Sequence, residues 1–297
     1  MRDKYMLTMG FIGAGITGTV LAVRLAQEGY RIIAVSSRTL ASAERLAQRI
    51  KNCQVYTTSQ EVADKVQLVF ITTPDDVISK VAARVQWYKG QNIVHCSGAH
   101  STDIIETAKQ CGANTGCFHP LQTFASIEQA IENLPGSTFT IEAEEPLLTT
   151  LKEMATAIAG GWIILKASDK VLYHTAAVFA CNYLVTLVKL ATDLWQDFGV
   201  SQKQATKALL PLLSGTLSNI ENIGLPNCLT GPIARGDLGT IKKHLEALEK
   251  ESPYLLNIYQ QLGLQTIPIA LAKGEIDSKR AQELRAILSK QLQGVLS

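Results

Sequence analysis

Lys170 and His174 are residues whose types and spacing could support proton transfer. They lie four positions apart, so a helix would place both on one face, one turn apart. A histidine titrates near neutral pH, and a lysine does so when burial lowers its pKa. Either side chain could then protonate an oxygen or nitrogen atom of a bound substrate. The alternatives are a solvated lysine at a helix start and a histidine packed in an interface.

Three further polar residues could complete such a site. His119, followed by Pro120, comes at the end of the apolar run Thr115 to Phe118 and could also move a proton; otherwise it packs a loop. Asn182 lies two turns beyond His174 and, if buried, needs a hydrogen-bond partner in a ligand or in the backbone. Arg235 lies in the glycine-bounded loop 230–237, where it could bind a substrate carboxylate through two hydrogen bonds or simply face solvent.

The stretch Met6 to Arg38 predicts a phosphate-binding loop. An apolar run, Leu7 to Ile12, leads into Gly13-Ala14-Gly15-Ile16-Thr17-Gly18, which matches G-x-G-x-x-G, and a helix to about Glu28 follows. In this motif the glycines permit a tight turn, the approach of a pyrophosphate and close helix packing, while the helix start attracts the phosphates. We expect Gly13, Gly15, Ile16, Thr17 and Gly18 to bind a dinucleotide; the alternative is a glycine-rich turn without a ligand.

The end of the next strand, Arg31 to Val35, indicates which dinucleotide. An NAD site usually has Asp or Glu at this point, whereas this chain has Ser36-Ser37-Arg38. An arginine and two hydroxyls suit a 2′-phosphate, and charge-assisted contacts are worth about 1.5–3 kcal/mol each. The pattern therefore favours NADP. Thr72, Thr73, Pro74 and Ser97 follow two later strands at the same predicted sheet edge, so we expect them beside the cofactor.

Alternating strands and helices in the first half predict an α/β fold with a doubly wound, mostly parallel sheet. From Ser168 onward the pattern is helical only. We therefore predict a cofactor domain over residues 1–166 and an all-α substrate and dimerisation domain over residues 167–297. Strands are expected at Gln54 to Tyr56, Leu68 to Ile71, Asn92 to His95, Thr115 to Phe118, Thr138 to Glu142 and Trp162 to Leu165. Helices are expected at Thr39 to Ile50, Leu147 to Ile158, Asp169 to Phe198, Ser201 to Ile223, Gly239 to Glu251, Pro253 to Leu262 and Ser278 to Leu292.

Composition narrows the class of protein. The 297 residues are 46% hydrophobic and 18% charged, as in a globular protein, and the net charge of +2 indicates no nucleic-acid partner. We expect no signal peptide, and no membrane span, since the apolar run Val178 to Leu190 is interrupted by Asn182 and Lys189. The long helix is apolar nearly all round, so we expect it to be buried between domains or subunits.

The six cysteines form no C-x-x-C pair, which favours reduced thiols in the cytoplasm. A metal site built from His95, Cys96, His100 and His119 is a minor alternative, because their spacing fits no zinc pattern. We expect no metal.

The chain resembles a family of Rossmann-like oxidoreductases with a C-terminal helical domain of unknown function. Its N-terminal half is similar to the NADP-binding domain of pyrroline-5-carboxylate reductase and of coenzyme F420-dependent NADP oxidoreductases. The resemblance is carried by the glycine motif, Thr73-Pro74-Asp75-Asp76, Ser97-Gly98-Ala99, His119-Pro120-Leu121-Gln122, Tyr173-His174-Thr175-Ala176-Ala177, Asn182 and Gly231-Pro232-Ile233-Ala234-Arg235-Gly236-Asp237.

Two related groups bear on the mechanism. The 6-phosphogluconate and β-hydroxyacid dehydrogenases carry a catalytic lysine followed one turn later by an asparagine. Lys170 fits that lysine, but His174 stands in place of the asparagine, so 2-hydroxy-acid chemistry does not carry over directly. Prephenate dehydrogenases have a His-Pro pair like that of His119. The resemblance also implies a homodimer formed through the helical domain.

These patterns predict an NADP(H)-dependent oxidoreductase that acts on a small anionic carbonyl, imine or hydroxy compound in the cytoplasm. We expect His174, Lys170 and His119 to be catalytic, and Asn182, Arg235 and Gln122 to bind the substrate. The alternative is a non-catalytic, NADP(H)-binding regulatory protein.

Overall fold

The structure, a computed structural model, describes residues 7–289 of the chain. Contacts divide it into two compact units, Met1–Asn182 and Tyr183–Ser297. The sequence placed the boundary near Lys166, whereas the division falls inside a helical run. Met6 and Leu292, which end two of the predicted segments, lie outside the described residues.

The first unit is built on one eight-stranded sheet in the order β3-β2-β1-β4-β5-β6-β7-β8. Neighbouring strands are parallel except for β6 and β7, which pair antiparallel. The predicted α/β fold with a mostly parallel sheet is confirmed. The strands are β1 Thr8–Ile12, β2 Arg31–Ser36, β3 Gln54–Val55, β4 Leu68–Ile71, β5 Asn92–His95, β6 Asn114–Leu121, β7 Thr138–Ala143 and β8 Gly161–Ile164.

Helices cover this sheet and then make up the second unit. In the first unit they are α1 Ile16–Gln27, α2 Leu40–Ala47, α3 Ser59–Ala63, α4 Asp75–Arg84, α5 Glu106–Gln110, α6 Ile127–Asn133, α7 Leu147–Ile158 and α8 Lys170–Ala177. In the second unit they are α9 Tyr183–Gln196, α10 Gln202–Ile223, α11 Leu238–Glu251, α12 Pro253–Lys273 and α13 Ser278–Leu288. The predicted helical C-terminal region is confirmed.

A row of phenylalanines packs one face of the sheet. Phe11, Phe70, Phe118 and Phe139 come from β1, β4, β6 and β7, and all four are fully buried. Their ring centroids are separated by 4.9, 6.1 and 4.1 Å along the row. Burying side chains of this size stabilises a fold by about 1.5–3 kcal/mol each. The row therefore stabilises the part of the sheet in which the carboxyl ends of β1, β4, β5 and β6 meet at one edge.

The sequence predicted a single helix from Asp169 to Phe198, and the chain is helical from Ala167 to Gln196. Within that run, residues Val178–Asn182 form a π-helical turn between α8 and α9. Turns of this kind are rare and often occur at functional sites.

The apolar part of the helical run Ala167–Gln196 is uncovered in the structure. Its most apolar window has a mean hydropathy of 1.6 and none of it is buried within the chain. By length and composition it is one helix that could cross a membrane. Length and composition do not distinguish such a span from a helix covered by protein, because both are apolar.

In the second unit, α12 is longer than the sequence predicts. The predicted helix ended at Leu262, before Gly263, but α12 continues to Lys273 through Pro268. Gly263 is buried, and a Cβ there would lie 3.0 Å from the side chain of Leu288. This glycine therefore permits close helix packing instead of ending the helix.

Candidate functional site

The glycine loop after β1 is closed around Thr72. Gly13 has a φ of +111°, and a Cβ there would lie 2.7 Å from the backbone carbon of Thr72. The Thr72 hydroxyl donates a 2.7 Å hydrogen bond to the Gly13 carbonyl. A Cβ on Gly18 would overlap that hydroxyl oxygen. Only glycine therefore fits at both positions, and Thr72 supports the loop from behind.

Gly15 has the opposite environment. It is exposed, and nothing lies within 4 Å of its Cβ position. It also precedes α1, which has no side-chain hydrogen bond at its N-terminus and no acidic residue in its first turn. Ile16 and Thr17 supply the first N–H groups of that helix. The open backbone and the free helix start fit a pyrophosphate group.

Two buried hydroxyls at this sheet edge have no hydrogen-bond partner among residues 7–289. They are Oγ of Ser36, at the end of β2, and Oγ1 of Thr73, after β4. A buried hydroxyl without a partner costs about 1–3 kcal/mol, so both fit contacts with a bound ligand. Ser37 is half-buried beside them and Arg38 is exposed, as a residue that reaches a ligand phosphate must be.

Ser97 supports the turn after β5. Its hydroxyl donates to a carboxylate oxygen of Asp75 at 2.7 Å and accepts from the backbone N–H of His100 at 3.2 Å. Pro74, next to Asp75, is the exposed N-cap of α4. Ser97 thus ties the ends of β4 and β5 together, and its predicted contact with the cofactor stays a prediction.

A cavity of about 660 Å³ opens beside the end of β6. One side is formed by β6 and the residues after it, and the other by α8 and the π turn. Two of the predicted catalytic residues, His119 and His174, line this cavity, and so do the predicted substrate-binding residues Gln122 and Asn182. The full lining is His119, Leu121, Gln122, Thr123, Phe124, Tyr173, His174, Ala176, Ala177, Ala180, Cys181 and Asn182.

Tyr173 joins the two histidines at this cavity. Its hydroxyl lies 2.8 Å from Nδ1 of His119, at hydrogen-bond distance. The rings of His119 and His174 are 6.4 Å apart between centroids. Burial, and then the positive charge of Lys170, lower the pKa of His119 to about 4. Burial raises the pKa of Tyr173. At neutral pH, His119 is therefore uncharged and Tyr173 keeps its proton.

Gly98 provides the space for both histidines. A Cβ on Gly98 would lie 2.7 Å from Nε2 of His119 and 2.8 Å from Cδ2 of His174. Both distances are shorter than real Cβ contacts allow. The glycine after Ser97 therefore lets both rings lie directly against the backbone.

Lys170, the third predicted catalytic residue, lies behind the cavity wall. It is 1% exposed, its Nζ donates to Sγ of Cys117 at 2.7 Å, and it is 3.5 Å from a carboxylate oxygen of Glu142. Cys117 and Glu142 are cross-strand partners on β6 and β7. The other oxygen of Glu142 accepts from the hydroxyl and N–H of Thr102, at 2.8 and 3.1 Å. Lys170 therefore contacts the sheet and does not line the cavity.

His95 is fully buried one strand away, and its Nδ1 accepts from the backbone N–H of Ser97 at 3.2 Å. Burial lowers its pKa to about 3, so the ring is neutral. Across residues 7–289, no group of three or more His, Cys, Asp or Glu side chains is placed to hold a metal ion.

The predicted substrate-binding residues have different surroundings. The amide nitrogen of Gln122 donates hydrogen bonds to the carbonyl of Asn133 and to the hydroxyl of Ser137, both at 3.1 Å. Arg235 is exposed in the second unit, after Gly231 and before α11. Asp237 caps that helix by accepting from the N–H of Thr240 at 3.0 Å.

Sequence reasoning named Tyr173 only as part of a matching motif, and it placed Gly98, with Ser97, at the same sheet edge as His119. Tyr173 is three residues after Lys170 and next to His174, so helical spacing could have placed it on the same face. Gly98 carried no signal of its role, since its neighbours come from β6 and α8. The partners of Lys170, Cys117 and Glu142, were also missed because they meet only through strand pairing.

Two family models match separate parts of the chain, and the second match crosses the division between Asn182 and Tyr183. Residues 2–120 match the Rossmann-like domain family, and residues 137–266 match a domain of unknown function, DUF2520. No curated protein is similar enough in sequence to match.

Solved structures match over most of the chain. BF3122 from Bacteroides fragilis, described as a candidate NADP oxidoreductase, is 26% identical, with a TM-score of 0.71 over 88% of this chain and 98% of its own. Protein TM1727 from Thermotoga maritima is 26% identical, with a TM-score of 0.73 over 90% and 99%. A reductive aminase from Aspergillus terreus, in complex with NADPH and ethyl-5-oxohexanoate, shares the fold at 14% identity, with a TM-score of 0.61 over 97% and 94%.

The glycine loop therefore lies in the segment that matches the Rossmann-like domain model, and the helical side of the cavity lies in the segment that matches the DUF2520 model.

Proposed function

We propose that the chain is an NADP(H)-dependent oxidoreductase that transfers a hydride to or from a carbonyl, imine or hydroxy compound. One observation carries the proposal: a phosphate-ready glycine loop and a cavity with two histidines and a tyrosine lie on the same edge of one sheet. The names of BF3122 and of the NADPH-bound reductive aminase support the cofactor and the type of reaction.

The residues at the glycine loop fit NADP. The open backbone at Gly15, the free start of α1 and the unpartnered hydroxyls of Ser36 and Thr73 are what a dinucleotide would use. We propose that Arg38 pairs with the 2′-phosphate. The proposed cofactor-binding set is Gly13, Gly15, Ile16, Thr17, Gly18, Ser36, Ser37, Arg38, Thr72, Thr73, Pro74 and Ser97.

When bound, NADPH supplies the hydride for the carbon atom of a C=O or C=N bond. The chain must supply a proton to the oxygen or nitrogen atom. We propose that His174 and Tyr173 present this proton at the cavity, and that neutral His119 holds and orients the Tyr173 hydroxyl. Lys170 acts on this cluster through its charge, as a positioning residue, because it contacts Cys117 and Glu142.

The proposed substrate contacts are Asn182 and Gln122 at the cavity and Arg235 in the second unit. The sequence favours a small anionic substrate on the basis of Arg235. An Arg235→Gln variant should then raise KM for an anionic substrate and leave KM for an uncharged one unchanged. Equal effects on both would remove Arg235 as a carboxylate ligand.

We also propose that the chain works in the cytoplasm as a homodimer, with a second copy covering its apolar helices. Large apolar side chains on the helical run and on α10 are between 41 and 75% exposed. Exposed apolar surface of this extent marks an interface. These side chains are Val171, Leu172, Phe179, Val185, Leu187, Leu210, Leu212, Leu217, Ile220 and Ile223.

The first test is thermal stabilisation by NADPH and by NADH, on the wild type and on Arg38→Ala. At about a hundred times its dissociation constant, a ligand stabilises the folded state by about 2.7 kcal/mol. We expect a large shift with NADPH that Arg38→Ala reduces. Stabilisation by neither nucleotide would overturn the proposal. Binding of NADPH by the wild type without turnover of any carbonyl, imine or hydroxy compound would favour the non-catalytic, NADP(H)-binding alternative. A His174→Ala variant that turns over at the wild-type rate would remove His174 as the proton donor.

A further inference from the structure

The cavity beside Tyr173 has a lining without fixed charge. Within the described part of the chain, it contains no Lys, Arg, Asp or Glu side chain. Half of the lining is apolar or small, and the remainder is histidine, tyrosine, amide or hydroxyl. The apolar and small members are Leu121, Phe124, Ala176, Ala177, Ala180 and Cys181.

The fixed charges nearest to this lining are engaged elsewhere. Lys170 is 1% exposed and its ammonium group contacts Cys117 and Glu142. Asp75 accepts a hydrogen bond from Ser97. Lys170 is therefore buried and paired, and neither Lys170 nor Asp75 belongs to the lining of the cavity.

The histidines do not serve as permanent counter-ions for an anion. His119 is neutral at neutral pH, and its Nδ1 is used by Tyr173. His174 is the proposed proton donor, so a substrate carboxylate bound to it would block the atom that must reach the reacting oxygen or nitrogen. Moving a carboxylate into such surroundings, without a permanent cation to pair with it, is unfavourable.

The shape of the cavity is set by small side chains on its helical side. Ala176 and Ala180 are four residues apart, as are Ala177 and Cys181, so each pair lies on one face of the helix. These residues leave a volume of about 660 Å³, within the range of cavities that hold drug-sized molecules. On the helical side a ligand would therefore meet methyl and thiol groups beside the side chains of Tyr173, His174 and Asn182.

We infer that the part of the substrate that enters this cavity is uncharged and largely apolar: a ketone, or the imine of a ketone and an amine. This inference rests on the proposed function and narrows it. It limits the anionic-substrate prediction, since a carboxylate is compatible only with the part of the substrate that lies outside the cavity.

The test compares keto esters with their free keto acids, which differ in charge and in the ester alkyl group. Ethyl 5-oxohexanoate and methyl pyruvate are each paired with the corresponding free keto acid. Thermal stabilisation of the complex with NADP⁺ reports binding without hydride transfer, and consumption of NADPH reports turnover. We expect the esters to bind and the acids to bind about tenfold or more weakly. Equal or tighter binding of the acids, or no binding of either ester, overturns the inference.

The two readouts separate this inference from the proposed function. NADPH consumption is measured with each ester and with cyclohexanone plus a primary amine. If the esters bind but none of these reactions consumes NADPH, the inference is supported and the proposed reaction is overturned. Faster turnover of the acids supports the reaction and overturns the inference.

A pair of variants tests the charge of the lining directly. Ala177→Lys places an ammonium group in the cavity, and Ala177→Met fills a similar volume without charge. We expect Ala177→Lys to improve binding of the acids relative to the esters by about tenfold, while Ala177→Met leaves the ratio as in the wild type. The same ratio in both variants would overturn the inference.

Discussion

The hydroxyl of Tyr173 lies 2.8 Å from Nδ1 of His119, and this contact joins α8 to the end of β6. Because the imidazole is neutral, it can accept from the phenol and hold it toward the cavity. We expect Tyr173→Phe to lower kcat by about a hundredfold, with little change in NADPH affinity. Steady-state kinetics with a nucleotide titration checks this, and an unchanged kcat would remove Tyr173 from the reaction.

Because burial keeps two histidines uncharged, we predict that the free energy of unfolding decreases in acid. The pKa values of His95 and His119 are lowered to about 3 and 4, below the unfolded value of 6.5. Between these values the unfolded chain binds protons that the folded chain does not. Stability is therefore full above pH 6.5 and falls as the pH drops toward 4, by about 1.4 kcal/mol per pH unit for each histidine.

Urea unfolding across this pH range measures the slope. His119→Gln should make it shallower. His244→Gln is the matched control for the loss of an imidazole, because His244 is exposed on α11. Equal slopes in the wild type and in His119→Gln would contradict the burial argument.

A Gly98→Ala variant tests the positions of His119 and His174 together. An added methyl group would meet Nε2 of His119 at 2.7 Å and Cδ2 of His174 at 2.8 Å. We expect Gly98→Ala to destabilise the chain by about 1–3 kcal/mol and to lower turnover more than it lowers NADPH affinity. Gly215→Ala on α10 is the control, since nothing lies within 4 Å of its Cβ position. Normal activity in Gly98→Ala would show that the rings are not held against this backbone.

Variants of Thr72 test whether its hydroxyl supports the glycine loop. Thr72→Val removes the hydrogen bond to the Gly13 carbonyl and keeps the shape, whereas Thr72→Ser keeps the hydroxyl. We expect Thr72→Val to weaken NADPH binding by about tenfold and Thr72→Ser to bind nearly as the wild type does. Calorimetric titration provides the measurement, and equal affinities in all three would exclude this support.

Variants of Lys170 test whether this residue donates a proton or acts through its positive charge. Lys170→Met leaves the Glu142 carboxylate without its cation and should destabilise the chain by about 3 kcal/mol. The double variant Lys170→Met, Glu142→Gln should recover most of that stability. It should also raise the pKa of His119, because the positive charge of Lys170 helps to lower it. A double variant with full stability, an unshifted pH profile and no turnover would instead favour a direct catalytic role for Lys170.

The sequence predicts β4, β5 and α7 with the bounds that the structure gives, because each is a clear apolar pattern ended by polar or turn residues. It does not predict the short helices α3, α5 and α6, whose five to seven residues show too little periodicity. The glycine loop was predictable because all its chemistry lies in one continuous stretch. The contact of Tyr173 with His119 was not, because it depends on how α8 lies on β6.

The antiparallel step between β6 and β7 has a consequence for tolerated changes in chain length. After this step, α8 runs along β6 in the same direction as the strand. Lys170 contacts Cys117, Tyr173 contacts His119, and the next helical turn lines the cavity together with Leu121. An α-helix turns by about 100° per residue. One residue inserted between β8 and α8 would therefore rotate Lys170 and Tyr173 away from both partners at once, whereas an insertion in the loop between α6 and β7 would leave them aligned. Natural or engineered variants of this chain should accept length changes in the second place and not in the first.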